Sequence, residues 1–416
     1  MEKKPPVYGI VLSGGGARGA YEAGVIHYIR SALSPPARTL PFQLYCGSSV
    51  GAINTCFLAS MAETPEAQGI HLRKTWEALR QDNIYRRDTL ALGKLLVTSF
   101  AGLTANIFRK PKAEGEAHGI HFRGLVDTSP LPRFLRRMIQ WNRLNENVER
   151  GLVHGVSVTL TNMRTGNLEF FIHKHAEVSY YGLYPVRFCP IQWQHVMASA
   201  AIPILFPPVK VDDTYYADGG LRLNTPMSPA IHMGADRVLV IGNHDPSEAA
   251  DAPIRDERTP QTPPTLGEII GKILSSIFLD RLDYDLKQMD RINQIIAWSE
   301  QVYGADYLDR LNAMLSQRGI TGDIASRGLK RLAVLSISPT RDLREIFSEV
   351  LKRPSSQKYF SSFEKTLLKL LDVDMHRGEE FLSYFLFLPE YLRALTALGF
   401  DDAQARHDDL MAFLSP

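Results

Sequence analysis

The chain has 416 residues, 44% hydrophobic and 22% charged, enough for one large domain with an appendage or two to three small ones, and gross disorder is excluded. Lys+Arg 47 against Asp+Glu 45 leaves a net charge of +2, which argues against a dedicated nucleic-acid binder, where a strong basic excess is expected. Three cysteines, Cys46, Cys56 and Cys189, show neither metal-ligand spacing nor a disulfide framework, and the odd count suits a reducing compartment.

The N-terminus passes from Met1-Glu2-Lys3-Lys4-Pro5-Pro6 straight into an apolar run at 7–12. That run is too short for a signal-peptide core and no cleavage site follows it. No stretch approaches the roughly 18 consecutive apolar residues of a membrane-spanning helix. The expectation is a cytoplasmic protein, with peripheral membrane contact left open.

Residues 8–12 read as the first strand. Ser13-Gly14-Gly15-Gly16-Ala17-Arg18-Gly19-Ala20 then opens a helix, and Gly14, Gly16 and Gly19 satisfy G-x-G-x-x-G. A dinucleotide site needs an acidic residue about 20 positions on to hold the ribose. Between Ala23 and Ala62 there is no Asp or Glu, so a nucleotide cofactor is not expected. A Walker loop is excluded because no Gly-Lys-Ser/Thr follows. Successive glycine amides at a helix N-terminus make a positive concavity that suits the oxyanion of a tetrahedral intermediate. A tight turn alone explains one or two glycines, but not three together with Gly19.

Residues 42–46 read as the second strand, and 50–61 as a helix with small side chains at its start. Between them stands Gly47-Ser48-Ser49-Val50-Gly51. A G-x-S-x-G turn between strand and helix exposes the middle serine, Ser49, in front of a helix N-terminus. The competing reading is an ordinary turn with a serine N-cap. Residues 90–108 are apolar, glycine-broken and followed by Arg109, Lys110 and Lys112. Burial and interfacial anchoring are equally open for that stretch.

Strands are expected at 155–160 and 168–172, joined by a hairpin turn over 163–167, and again at 238–241. Strands alternating with helices over the first 245 residues imply an α/β fold with a mostly parallel sheet. A proline-rich turn, 203–208, precedes Asp218-Gly219-Gly220, behind which stand Asn224 and Pro226. Asp-Gly is common in hairpin turns. A lone aspartate near pKa ~4 is a poor base, but desolvation and a bond to a serine hydroxyl would raise it. Five prolines, Pro246, Pro253, Pro260, Pro263 and Pro264, mark an exposed loop. A helix is expected from Thr265, where Thr265-Leu266-Gly267-Glu268 has capping-box form. Residues 331–339 read as a late strand added to the first sheet, and from Thr340 the pattern is helical. The apolar segment 381–388 reads as buried in preference to a lid or anchor.

With these pieces in order and spacing, the chain resembles the patatin-like phospholipases, lipid acyl hydrolases with a Ser–Asp dyad. The resemblance covers roughly residues 7–245, with weaker extensions at 280–293 and 331–338. Residues 197–203 and Ala235-Asp236 also fit it, while Ser48 stands where a threonine is common. It implies a three-layer α/β/α domain over 7–245; the residues themselves add a Pro-rich loop at 246–265, helices and a sheet-completing strand over 266–339, and a helical extension over 340–416 that carries no motif of the family. It also implies Ser49 as nucleophile and Asp218 as base. Gly14, Gly15 and Gly16 would make the oxyanion hole, foremost through the Gly15 and Gly16 amides, with a further donor at Val50. Arg18 would hold the loop or meet a lipid phosphate, and Gly47, Gly51, Gly219, Gly220 and Asn224 would support the site. The implied reaction is hydrolysis of fatty acyl esters, phospholipase A or lysophospholipase in type, without metal or cofactor, on a lipid substrate at a membrane surface. Two alternatives stand beside it: a transacylase using the same dyad, and a non-catalytic lipid-binding scaffold. The chain has twelve histidines, and His232 and His244 are candidates for a Ser…Asp…His order, though neither has a telling context. Head group, acyl length and oligomeric state are not legible.

Overall fold

The first strand, β1 (Tyr8–Leu12), buries all five of its residues, as a strand covered on both faces must. The computed structural model to which it belongs describes residues 5–87, 124–243, 269, 272–273, 282–320, 329–370 and 379–415. The apolar stretch 90–108, the proline-rich loop and the capping box at Thr265 lie outside the described residues, as does His244. The other strands are β2 (Leu44–Ser48), β3 (Gly155–Asn162), β4 (Leu168–Lys174), β5 (Val186–Phe188), β6 (Val209–Val211), β7 (Thr214–Asp218), β8 (Arg237–Ile241) and β9 (Ala333–Ile337). They form one sheet in the order β5-β4-β3-β2-β1-β8-β9, with the β6–β7 hairpin joined to β3. From β3 to β9 the neighbouring strands along this path are parallel.

The helices are α1 (Ala20–Ser31), α2 (Val50–Ser60), α3 (Pro65–Ala78), α4 (Leu131–Met138), α5 (Trp141–Glu149), α6 (Trp193–Ser199), α7 (Met227–His232), α8 (Leu282–Tyr303), α9 (Tyr307–Gln317), α10 (Leu343–Leu351), α11 (Ser362–Leu370), α12 (Glu379–Phe385), α13 (Pro389–Ala405) and α14 (His407–Leu414). Alternation along the strands makes three layers. Ile10, Leu12, Tyr45, Val156 and Val158 face a core built with α1, α2 and α3. Val11, Leu44, Cys46, Val238 and Val240 face a second, smaller core closed by α7 and Leu282. The fold is therefore α/β with a mostly parallel central sheet between helices.

Residues beyond 340 join the larger core through Phe347, Tyr391, Leu392, Leu395 and Leu410. Helix α13 lies directly on α1. A Cβ at Gly399 would stand 2.1 Å from the Tyr21 carbonyl oxygen, and one at Gly24 2.1 Å from that of Thr396. Two glycines thus let the backbones touch, and Tyr21 Oη donates to Asp402 Oδ2 (3.0 Å) beside them. The segment 382–388 is buried, in keeping with its apolar sequence.

The late strand pairs with β8 in parallel as expected, from Arg237↔Ala333 to Ile241↔Ile337. The second strand runs two residues further than its apolar stretch, because Gly47 and Ser48 still pair with Val158 and Thr159 of β3. Three short strands, β5, β6 and β7, go beyond the sequence reading. The β6–β7 hairpin turns at Asp212-Asp213, with Asp212 at φ 50, and not at Asp218-Gly219. Replacing Gly399 by alanine forces backbone apart at the α1–α13 contact. We expect a loss of about 1–3 kcal/mol in denaturant unfolding of the full chain.

Candidate active site

The site lies beyond the carboxyl ends of β1 and β2, where open α/β sheets bind ligands. Ser49 follows the last residue of β2 and precedes α2, at φ 53 and ψ −125. This is a sparsely populated conformation for a residue with a side chain, and it aims the hydroxyl out of the turn. The flanking glycines have separate steric reasons. A Cβ on Gly47 would meet the Gly51 carbonyl oxygen at 2.4 Å, and one on Gly51 the Leu12 carbonyl oxygen at 2.2 Å. The Ser49 amide donates to Ser199 Oγ (2.9 Å), which donates in turn to the Thr159 carbonyl (2.6 Å). Ser199, on α6, thus pins the turn to β3. Its segment stood out in the sequence, but its role did not. Ser49 does not cap α2 with its side chain, so the plain N-cap reading is set aside.

Sheet register brings the aspartate to the serine. β2 pairs with β3 as far as Ser48↔Thr159, and β4 occupies the other edge of β3. From Leu160 onward β7 takes over the edge that β2 vacates, with Leu160 opposite Asp218. Ser49 Oγ donates to Asp218 Oδ2 at 2.6 Å, while the Gly220 amide donates to Oδ1 at 2.8 Å. Thr161 Oγ1 donates to the Asp218 carbonyl (2.9 Å), and a Cβ on Gly219 would stand 2.2 Å from the Thr159 carbonyl oxygen. Asp218 is fully buried, and desolvation raises its carboxyl pKa to about 7 against the lowering effect of the Ser49 and Gly220 hydrogen bonds.

The glycine loop divides its labour. The Gly14 amide donates to the Asn224 carbonyl (3.2 Å), which removes it from the expected oxyanion set. Asn224 Nδ2 returns a long bond to the Gly14 carbonyl (3.4 Å), so Asn224 supports the loop. The Gly15 carbonyl accepts from the Arg18 amide (3.1 Å). Gly16, at φ +56, lines a cavity together with Ser49 and Val50. Among the described residues, the Gly15, Gly16 and Val50 amides have no protein acceptor.

Beneath the loop lies a carboxyl group that the sequence reading passed over. Glu22 is fully buried on α1, and desolvation lifts its pKa to about 8. It accepts from Asn54 Nδ2 (2.7 Å) and Asn243 Nδ2 (2.9 Å). Asn243 also reaches the Ser13 and Gly14 carbonyls (3.4 Å each), and Asn54 the Gly19 carbonyl (3.2 Å). Both ends of the glycine loop are therefore tied to one carboxyl group. Arg18 is buried too and is held by Ser383 and Tyr384, so the expected contact with a lipid phosphate is not where its guanidinium points.

A small cavity opens on Ser49. Its wall includes Trp76, Leu131, Phe134, Phe206 and Phe387, almost without polar groups. His232 packs its ring against Tyr180 (5.9 Å), with no place in the Ser49–Asp218 pair.

A family model described as patatin-like phospholipase matches residues 10–231. The chain belongs to that family. This patatin-like chain is 26% identical over 228 residues to a cGAMP-activated phospholipase of Pseudomonas aeruginosa (strain BWHPSA011 / Pa011). The match covers 55% of this chain and 56% of that protein, so the chain spans about half the length of the curated relative it matches. Among solved structures, VipD from Legionella pneumophila aligns over 96% of this chain and 92% of its own, at 14% identity and a TM-score of 0.26. Human GIVD cytosolic phospholipase A2, solved with methyl gamma-linolenyl fluorophosphonate, aligns over 100% and 60%, at 12% identity and a TM-score of 0.39.

Ser199→Ala in this patatin-like chain strands the buried Ser49 amide without an acceptor. We expect unfolding free energy to drop by about 1–3 kcal/mol, read by urea denaturation beside the wild type.

Proposed function

We propose that the protein is a lipid acyl hydrolase that cleaves fatty acyl esters through a Ser49 acyl-enzyme, with Asp218 as general base. The observation that carries this reading is the 2.6 Å hydrogen bond from Ser49 Oγ to Asp218 Oδ2 at the wall of an apolar cavity. Asp218 takes the Ser49 proton as Oγ attacks the acyl carbonyl. The Gly16 and Val50 amides face the oxyanion, with Gly15 beside them. One such donor is typically worth about 2.7–4 kcal/mol of barrier. The C–O bond of the ester breaks, and the alcohol leaves with the proton from Asp218. Water then gives its proton to Asp218 and attacks the acyl-enzyme, which releases the fatty acid and restores the Ser49 hydroxyl. A base near neutral pKa suits this exchange better than an ordinary carboxylate.

The cavity supports the substrate class. Its wall takes an acyl chain by desolvation and offers the described part no cation for a head group. The head group is then left outside the cavity, at a lipid surface. Among the described residues, no helix is long and apolar enough to cross a membrane.

Product analysis of a mixed-lipid digest tests the reading. Wild type should release free fatty acid and Ser49→Ala none, whereas acyl transfer to an added alcohol in preference to water would replace hydrolase by transacylase. Asp218→Asn should lower kcat by about 10²–10⁴-fold. The pH dependence has a fixed sign. Asp218 must be ionised to accept a proton, so kcat/KM should climb about tenfold per unit below pH 7 and level off above the pKa of about 7. Stability runs the other way: the raised Asp218 pKa favours folding most below its unfolded value, and that contribution is lost as pH rises through about 7.

A further inference from the structure

The family match ends at residue 231, yet the glycine loop rests on residues more than 150 positions further along the chain. A Cβ on Gly16 would stand 2.2 Å from the Tyr384 carbonyl oxygen, so that carbonyl is aimed at the loop and leaves room there only for glycine. Arg18, two residues on, donates through Nε (3.2 Å) and Nη2 (2.8 Å) to Ser383 Oγ and through Nη1 to Tyr384 Oη (2.9 Å). Its guanidinium lies 3.8 Å from the centre of the Tyr384 ring. Fork and stack together fix the guanidinium in one orientation, which a lysine would not do. The next residues reach the cavity. Phe385 stacks on Tyr85 (4.8 Å, 8°) and meets Phe206, a wall residue, at 6.3 Å. Phe387 is itself wall, stacked on Trp76 (6.5 Å, 20°), and Trp76 Nε1 donates to Asn54 Oδ1 (2.9 Å) under the loop.

We propose that residues 383–387 belong to the catalytic unit: Ser383 and Tyr384 position the Gly16 amide through Arg18, and Phe387 sets which acyl chains the cavity accepts. This rests on the acyl-hydrolase reading above. The positioning part follows from stiffness. An oxyanion donor acts only if it is aimed before charge develops. Gly16 has little conformational restraint of its own, and the Tyr384 peptide supplies it from outside. The specificity part follows from shape. An aromatic wall replaced by a small side chain opens room for further methylenes.

The test uses the full chain and p-nitrophenyl esters of graded acyl length, with fluorophosphonate labelling of Ser49 as a second readout. Ser383→Ala/Tyr384→Phe keeps the ring stack but removes both hydroxyl acceptors. It should lower kcat and the labelling rate about tenfold while KM stays within about twofold. A merely structural role would move the melting temperature and not this split. Phe387→Ala should shift the ratio of kcat/KM for long over short esters upward by at least about tenfold, and Phe387→Leu, the gentler change if alanine unfolds, in the same direction. Folded variants with wild-type kcat and a wild-type chain-length profile overturn the inference while the hydrolase reading stands. A wild type that fluorophosphonate does not label at Ser49 overturns the hydrolase reading, and the inference with it.

Discussion

A carboxyl group buried from solvent leans on its neighbours for its bonds, and Asp218 is such a group. Its two oxygens have two protein donors, the Ser49 hydroxyl and the Gly220 amide. Everything around the pair serves to keep them in register. β7 takes the β3 edge just where β2 ends, Ser199 holds the turn amide, and glycines at 47, 51 and 219 admit backbone where no side chain fits. The same burial that makes the carboxylate costly lifts its pKa to about 7, which suits the base proposed for it.

A second buried carboxyl does different work. Glu22 does not line the cavity at Ser49, but it orients two asparagine amides whose other bonds hold the start and the end of the glycine loop. Burial lifts its pKa to about 8, which lessens the negative charge beneath the loop. Trp76 joins this network to the cavity, with its ring on the wall and its N–H on Asn54. Loop and cavity are thus one packed object.

Much of this was legible in the sequence. β1, β3, β4, β8 and β9 announce themselves as apolar runs bounded by glycine, proline or turn residues. The serine turn, the glycine loop and Asp218-Gly219-Gly220 stand out because their backbone geometry restricts composition. The short strands β5, β6 and β7 do not, since three to five residues with mixed burial carry little periodicity. Long-range partners were hidden for another reason. Ser199 lies 150 positions from Ser49, and Ser383 lies 365 from Arg18, and although both segments stood out in the sequence, nothing in either pointed to its partner. The loop arginine was visible, but not that its charge would be consumed inside the protein. Gly14 sits in the right motif, and only the fold reveals that its amide is already engaged by Asn224.

The twisted backbone at Ser49 has an evolutionary corollary. At φ 53 the residue that fits with least strain is glycine, which has no hydroxyl. Thermodynamic robustness and chemistry therefore pull in opposite directions at this one codon, and a sturdy but inert descendant is a single substitution away. Quality control that senses unfolding would let that descendant through. As the proposed nucleophile, Ser49 can be retained only in lineages where turnover itself is under selection.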